Sequence, residues 1–140
     1  MKKGAFIKKL PYYLENIDIC KVKLTTQKIF AALVCKKEEY FIVLNINKPL
    51  NQQCNSIIHE LLHYHNKGFE SSKNINSIEH YTHKLTKYYK KHIPVSYKKL
   101  IIQKINTSFE YDIKTGEKLY HAGKLRGNRC NSTIVEYQTP

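Results

Sequence analysis

The chain has 140 residues, 41% of them hydrophobic, which suits one domain with a single sizeable core. Its formal charge is +13, and it shows neither an internal repeat nor a low-complexity linker, so repeat and disordered classes are set aside. No run of 18 apolar residues occurs, which excludes a membrane-spanning helix; no membrane partner is expected.

Phe6, Ile7, Leu10, Tyr13, Leu14 and Ile17 follow helical spacing, interrupted by Pro11. Proline is tolerated in a first turn, so the spacing predicts a short helix from Pro11 to Asn16. Val22 and Leu24 suggest a short strand. Lys28 to Lys36 and Tyr40 to Ile46 are apolar runs separated by Glu38 and Glu39, which predicts a β-hairpin. Asn51 to Asn66 then reads as a helix, with Cys54, Ile57, Ile58, Leu61 and Leu62 forming a core-facing stripe. A second helix starts near Asn76 or Ser77, either of which can cap it. Its stripe is Ile78, Tyr81, Leu85, Tyr88, Tyr89 and His92, and Pro94 ends it. A third helix fits Ser96 to Ile105. Beyond Thr107, Phe109 to Ile113 and Lys118 to Tyr120 flank Lys114-Thr115-Gly116, the pattern of a second hairpin. Thr133 to Tyr137 suits one more strand.

Within the helix over 51–66, His59-Glu60-Leu61-Leu62-His63 is an H-E-x-x-H pattern. Chance placement at this composition gives roughly 0.02 occurrences per chain. On a helix, positions i and i+4 share a face, so His59 and His63 can reach one metal ion from the side opposite the apolar stripe. Glu60 stands beside the first ligand, where a carboxylate can take a proton from water activated by the metal. The plain alternative is a surface helix with two solvated histidines. A catalytic zinc needs a third protein ligand and an open position. Glu79 on the second helix is the leading candidate, with His80 and His83 as neighbours. A donor to a developing oxyanion is also needed, and Tyr64, His65, Tyr81 and His83 are all available.

The chain resembles the ImmA/IrrE-type metallopeptidases, a gluzincin-like group associated with phages and mobile elements. The resemblance covers about residues 40–100. It rests on Ile42, Leu44 and Asn45 at a strand end, then His59-Glu60-Leu61-Leu62-His63, then a loop, Glu79 at the start of a helix and Pro94 after it. It implies His59, His63 and Glu79 as Zn2+ ligands, Glu60 as general base, and a regulatory protein such as a DNA-bound repressor as substrate. The family usually has Gly where this chain has Leu62, and its small residue three after Glu79 is Thr82 here. The expected fold is α+β: a small zincin-like domain, with the hairpin sheet packed on the motif helix and a second ligand helix. Residues 1–106 would form the metallopeptidase-like part and 107–140 a basic, hairpin-like extension of the same domain.

Two other features bear on function. Lys84, Lys87, Lys90, Lys91, Lys98 and Lys99 form a run with no acid among them, suited to weak nucleic-acid contact or simply to solubility. Tyr81, Tyr88, Tyr89 and Tyr97 interleave with it and are better explained as core. Cys20, Cys35, Cys54 and Cys130 lack C-x-x-C spacing, and the N-terminus does not read as a secretion signal. Reduced thiols and a cytoplasmic location are therefore expected. The leading function is a zinc endopeptidase. The alternative is a basic nucleic-acid-binding or protein-interaction module with a structural or vestigial metal site.

Overall fold

The computed structural model describes residues 3–25, 28–36, 38–66, 75–118 and 134–138. Their order is α1 (Lys3–Asn16), β1 (Asp18–Val22), β2 (Ile29–Lys36), β3 (Glu39–Asn45), α2 (Leu50–Asn66), α3 (Ile75–His92), α4 (Val95–Thr107), α5 (residues 113–118) and β4 (Ile134–Gln138). The fold is α+β. One four-stranded sheet has the order β1-β3-β2-β4, with β1 parallel to β3 and the other two pairings antiparallel. None of the described helices is long and apolar enough to cross a membrane.

Period-two alternation divides the sheet residues between two cores. Ile19, Ala31, Leu33, Ile42 and Leu44 face the helices and join Phe6 and Leu10 of α1, Ile57, Ile58, Leu61 and Leu62 of α2, Leu85 and Tyr89 of α3, and Ile101 and Ile105 of α4. Val22, Ala32, Val34 and Val43 form a smaller cluster on the opposite face, with Phe41 and Tyr111 against it. The hairpin expected from Lys28 to Ile46 is β2–β3, registered Ala31 to Leu44 and Lys36 to Glu39. Glu38 in its turn takes a left-handed φ of 67°.

Asn45 closes β3 and aims the chain into α2. Its side-chain oxygen accepts from the backbone N–H of Leu24 (3.2 Å) and of Asn47 (3.0 Å), while its amide donates to the Ile29 carbonyl (2.9 Å). Gln53 in the first turn of α2 donates to the Lys48 carbonyl at 2.8 Å. These bonds satisfy buried polar groups at the strand–helix junction and fix where the motif helix begins.

Several expectations need correction. α1 starts at Lys3, not Pro11, and carries Pro11 in its interior. Phe6 and Leu10 are fully buried; at about 1.5–3 kcal/mol each, they offset the roughly 3 kcal/mol cost of an interior proline. α3 starts at Ile75, which places Asn76 and Ser77 inside its first turn. The second hairpin does not form. Residues 109–111 extend the edge of β1, with Lys21 N–H donating to the Phe109 carbonyl and Tyr111 N–H donating to that of Lys21. Asp112 then accepts from the Thr115 N–H at 2.7 Å and opens α5 as a helix cap does. Gly116 is needed there for closeness, since a Cβ would lie 2.2 Å from Val22 Cγ2. Residues 119 and 120 of that expected hairpin lie outside the described residues. The last expected strand is present as β4, paired to β2 in the same sheet. Cys20 and Cys54 are free thiols, but Cys35 is disulfide-bonded. Sequence spacing missed this because a disulfide requires proximity in space, not a motif.

Candidate metal centre

α2 and α3 pack against each other, and this packing covers the face of α2 that the sequence left open. His59 is 1% exposed, and Glu60 and His63 are at 0%. The reading of two solvated histidines therefore falls. Ile57, Ile58, Leu61 and Leu62 hold the opposite side of the helix in the main core, as their spacing predicts.

Glu79, in the second turn of α3, reaches both histidines. Its Oε1 lies 3.1 Å from His59 Nε2 and its Oε2 2.7 Å from His63 Nε2, while the two Nε2 atoms are 3.2 Å apart. Zinc–ligand bonds of about 2.0–2.2 Å place tetrahedral ligand atoms about 3.3–3.6 Å from one another. One ligand atom from each of the three residues lies within 4.8 Å of the others, so the three side chains converge on a point where such an ion would fit after modest rearrangement. Among the described residues, His59, His63 and Glu79 are the group able to hold a metal ion.

Protonation sharpens the case. Burial pushes His59 down to about 4, against the opposing pull of Glu79, so its ring is neutral at pH 7. Burial alone would raise Glu79, but hydrogen bonding and charge from the two histidines outweigh it and hold the carboxyl at about 2. A carboxylate and imidazole nitrogens crowd one point that water scarcely reaches. A cation placed there satisfies all three at once. Glu79, at 24% exposed, is the side open to solvent.

Glu60 is the other anomaly. Neither of its oxygens has a hydrogen-bond partner, although the residue is fully buried. Burial, with the Glu79 charge behind it, pushes its carboxyl well above the usual range; the nearby Leu33 backbone on β2 eases this only in part. A buried carboxyl left without a regular hydrogen bond is costly to keep in the fold.

The structure also sorts the remaining candidates. His83 lies beside the cluster, its ring 6.3 Å from that of His59, but outside the metal-holding group. His80 is exposed. Tyr64 packs edge-on against Tyr13 and Tyr40, and His65 meets the Tyr13 hydroxyl at 2.6 Å, so both belong to an aromatic cluster under α1. Tyr81 is 46% exposed, not core, because the inner face of α3 runs through Thr82, Leu85 and Tyr89 instead. Tyr89 is buried, while Tyr88 and Tyr97 pack half-buried against the core. All six lysines from Lys84 to Lys99 are exposed.

One residue the sequence did not single out is Thr86, whose hydroxyl lies 3.2 Å from His59 Nδ1. Its only sequence signal is a position two turns beyond Glu79, on the same face of α3. A separate cavity of ≈ 740 Å³ lies between the end of α1, β1, the β2–β3 turn and the end of α4; none of the four central residues lines it. No protein-family profile matches the chain, and no curated protein or solved structure matches it either.

Proposed function

We propose that this protein is a zinc-dependent peptide hydrolase with a zincin-like site, related in kind to the ImmA/IrrE-type metallopeptidases. The observation that carries this reading is the meeting of His59, His63 and Glu79 beside a buried, unpartnered Glu60. His59, His63 and Glu79 would hold the ion. Zinc there supplies Lewis acidity, which polarises a carbonyl and makes water acidic near neutral pH.

Glu60 is the proton carrier. With a cation held by His59, His63 and Glu79, the Glu60 carboxyl would lie below its raised value and could accept a proton from water. It then returns that proton to the leaving amine. His83 is the donor best placed to approach a developing oxyanion, since Tyr64 and His65 are held elsewhere and Tyr81 faces solvent. Three protein donors among the described residues favour an open, catalytic site over a closed, structural one. The substrate class proposed is a specific regulatory protein, such as a repressor bound to DNA.

The test compares zinc content and peptide cleavage in the wild type and Glu60→Gln. The wild type is expected to hold about one zinc per chain and to cleave members of a peptide library detected by mass spectrometry. Glu60→Gln is expected to keep the zinc and lose at least about 100-fold in rate. Equal cleavage by both proteins would remove Glu60 as the base. A zinc-loaded wild type that cleaves nothing would leave a structural or vestigial metal site.

A further inference from the structure

Two ligand histidines from one helix ought to be equivalent, and they are not. His63 Nδ1 is buried with no hydrogen-bond partner. His59 Nδ1 meets Thr86 Oγ1 at 3.2 Å. The Thr86 hydroxyl has one proton, and it is spent on the Thr82 carbonyl one turn back, at 2.8 Å. Towards His59 the hydroxyl oxygen can therefore only accept, so this contact becomes a hydrogen bond when His59 carries its hydrogen on Nδ1. In that tautomer Nε2 presents its lone pair to the point where Glu79 and His63 converge, whereas in the other Nε2–H donates to Glu79 Oε1, 3.1 Å away.

We propose that Thr86 is a positioning residue. By accepting from Nδ1–H, it holds His59 in the tautomer and ring orientation that a metal ligand needs. The chain Thr82 carbonyl, Thr86 hydroxyl, His59 ring runs in one direction only, because a backbone carbonyl cannot donate. Thr82 lies in the α3 backbone at a buried position, so the relay is anchored to the same helix that supplies Glu79. α3 thus acts on the site twice, by a donor atom at Glu79 and, two turns on, by orienting His59. Without that bond, His59 is free to place its hydrogen on Nε2 and donate it to Glu79 Oε1, 3.1 Å away. That alternative pairs the two groups with each other and competes directly with a cation. Partners of this kind change metal affinity by about 10–100-fold.

This inference rests on the metal-site reading above, and its test separates the two. Thr86→Val keeps shape and removes the acceptor; Thr86→Ser keeps the hydroxyl. Imidazole 15N–1H spectra of the metal-free proteins report the His59 tautomer without reference to any metal. A larger Nδ1–H share is expected in the wild type and Thr86→Ser than in Thr86→Val, where the balance moves towards Nε2–H. Competition with a chelating dye then reads zinc affinity, expected to fall about 10–100-fold in Thr86→Val and less than about threefold in Thr86→Ser. Matched melting temperatures exclude a folding defect, and Thr86→Ala serves as a second variant if Thr86→Val does not fold. Zinc affinity and tautomer unchanged in Thr86→Val would overturn the proposal, as would an equal loss in Thr86→Ser. A wild type that binds no zinc, yet shows the tautomer switch, would sink the metal reading and leave the Thr86 orientation standing.

Discussion

The inner and outer faces of α3 are built from the same 18 residues and carry opposite kinds of information. Inward, Glu79 meets two imidazoles, Thr86 meets a ring nitrogen of His59, and Leu85 and Tyr89 fill the main core. Outward, Lys84, Lys87, Lys90 and Lys91 stand exposed, where charge is screened within about 8–10 Å at physiological salt. A polar atom taken out of water needs a specific partner, so position inside means chemistry. An exposed lysine needs none, and its position says little beyond the sign of the surface.

The sharpest break of this contrast lies at Glu79, the proposed third ligand. Glu79→Gln should weaken zinc binding at least about 100-fold, whereas His83→Ala should leave it within about threefold and lower turnover instead. Chelator competition measures both. The reverse order would show that the inner face presents its donor from His83, one turn further along.

A second test uses acid on the metal-free protein. His59 is held at about 4 in the fold against 6.5 in the unfolded chain. Because the folded value is the lower one, the unfolded chain takes the proton first; stability is fully present above about 6.5 and is lost as pH falls towards 4. The loss from this group is roughly 2–3 kcal/mol, and Glu79, also depressed, adds to it in the same direction at lower pH. Denaturant melts from pH 7 to 4 should show a decline that His59→Gln flattens. Zinc should shift the decline to lower pH, since protons and metal compete for the same nitrogen. A wild type as stable at pH 4.5 as at pH 7 would contradict the burial argument.

The smallest effect belongs to the outer face. Replacing Lys84, Lys87, Lys90 and Lys91 together by Gln should reduce binding to a labelled DNA duplex at low salt by about tenfold. The slope against salt should fall by about 0.9 for each phosphate that the variant no longer neutralises. Zinc affinity should not move. A change in zinc affinity would show that the two faces communicate, and no DNA binding by the wild type would leave the lysines as a solubility feature.

How much was legible beforehand follows the range of each interaction. His59, Glu60 and His63 could be read because four residues on a helix return to one face. The β2–β3 hairpin could be read because two apolar runs flanked a charged turn. Glu79 was a candidate by resemblance and position, with His80 and His83 equally near in sequence. Thr86 gave no signal, since a threonine in a helix is ordinary until a particular ring lies against it. The Tyr81 side of α3 was misread because Tyr81 falls on the helical stripe with Ile78 and Leu85, while the packing chose Thr82 one residue on.

The sequence by itself determined the strand alternation, the motif helix and the shared face of its two histidines, all consequences of local periodicity. Tertiary structure decided what periodicity cannot reach: that α3 covers that face, that Glu79 and not His83 closes the donor triangle, that Thr86 orients one histidine, and that Gly116 lets α5 press on Val22. Each of these depends on two segments far apart in the chain meeting at a distance of a few ångströms. Such meetings are settled by burial of the whole core and leave no mark on either segment alone.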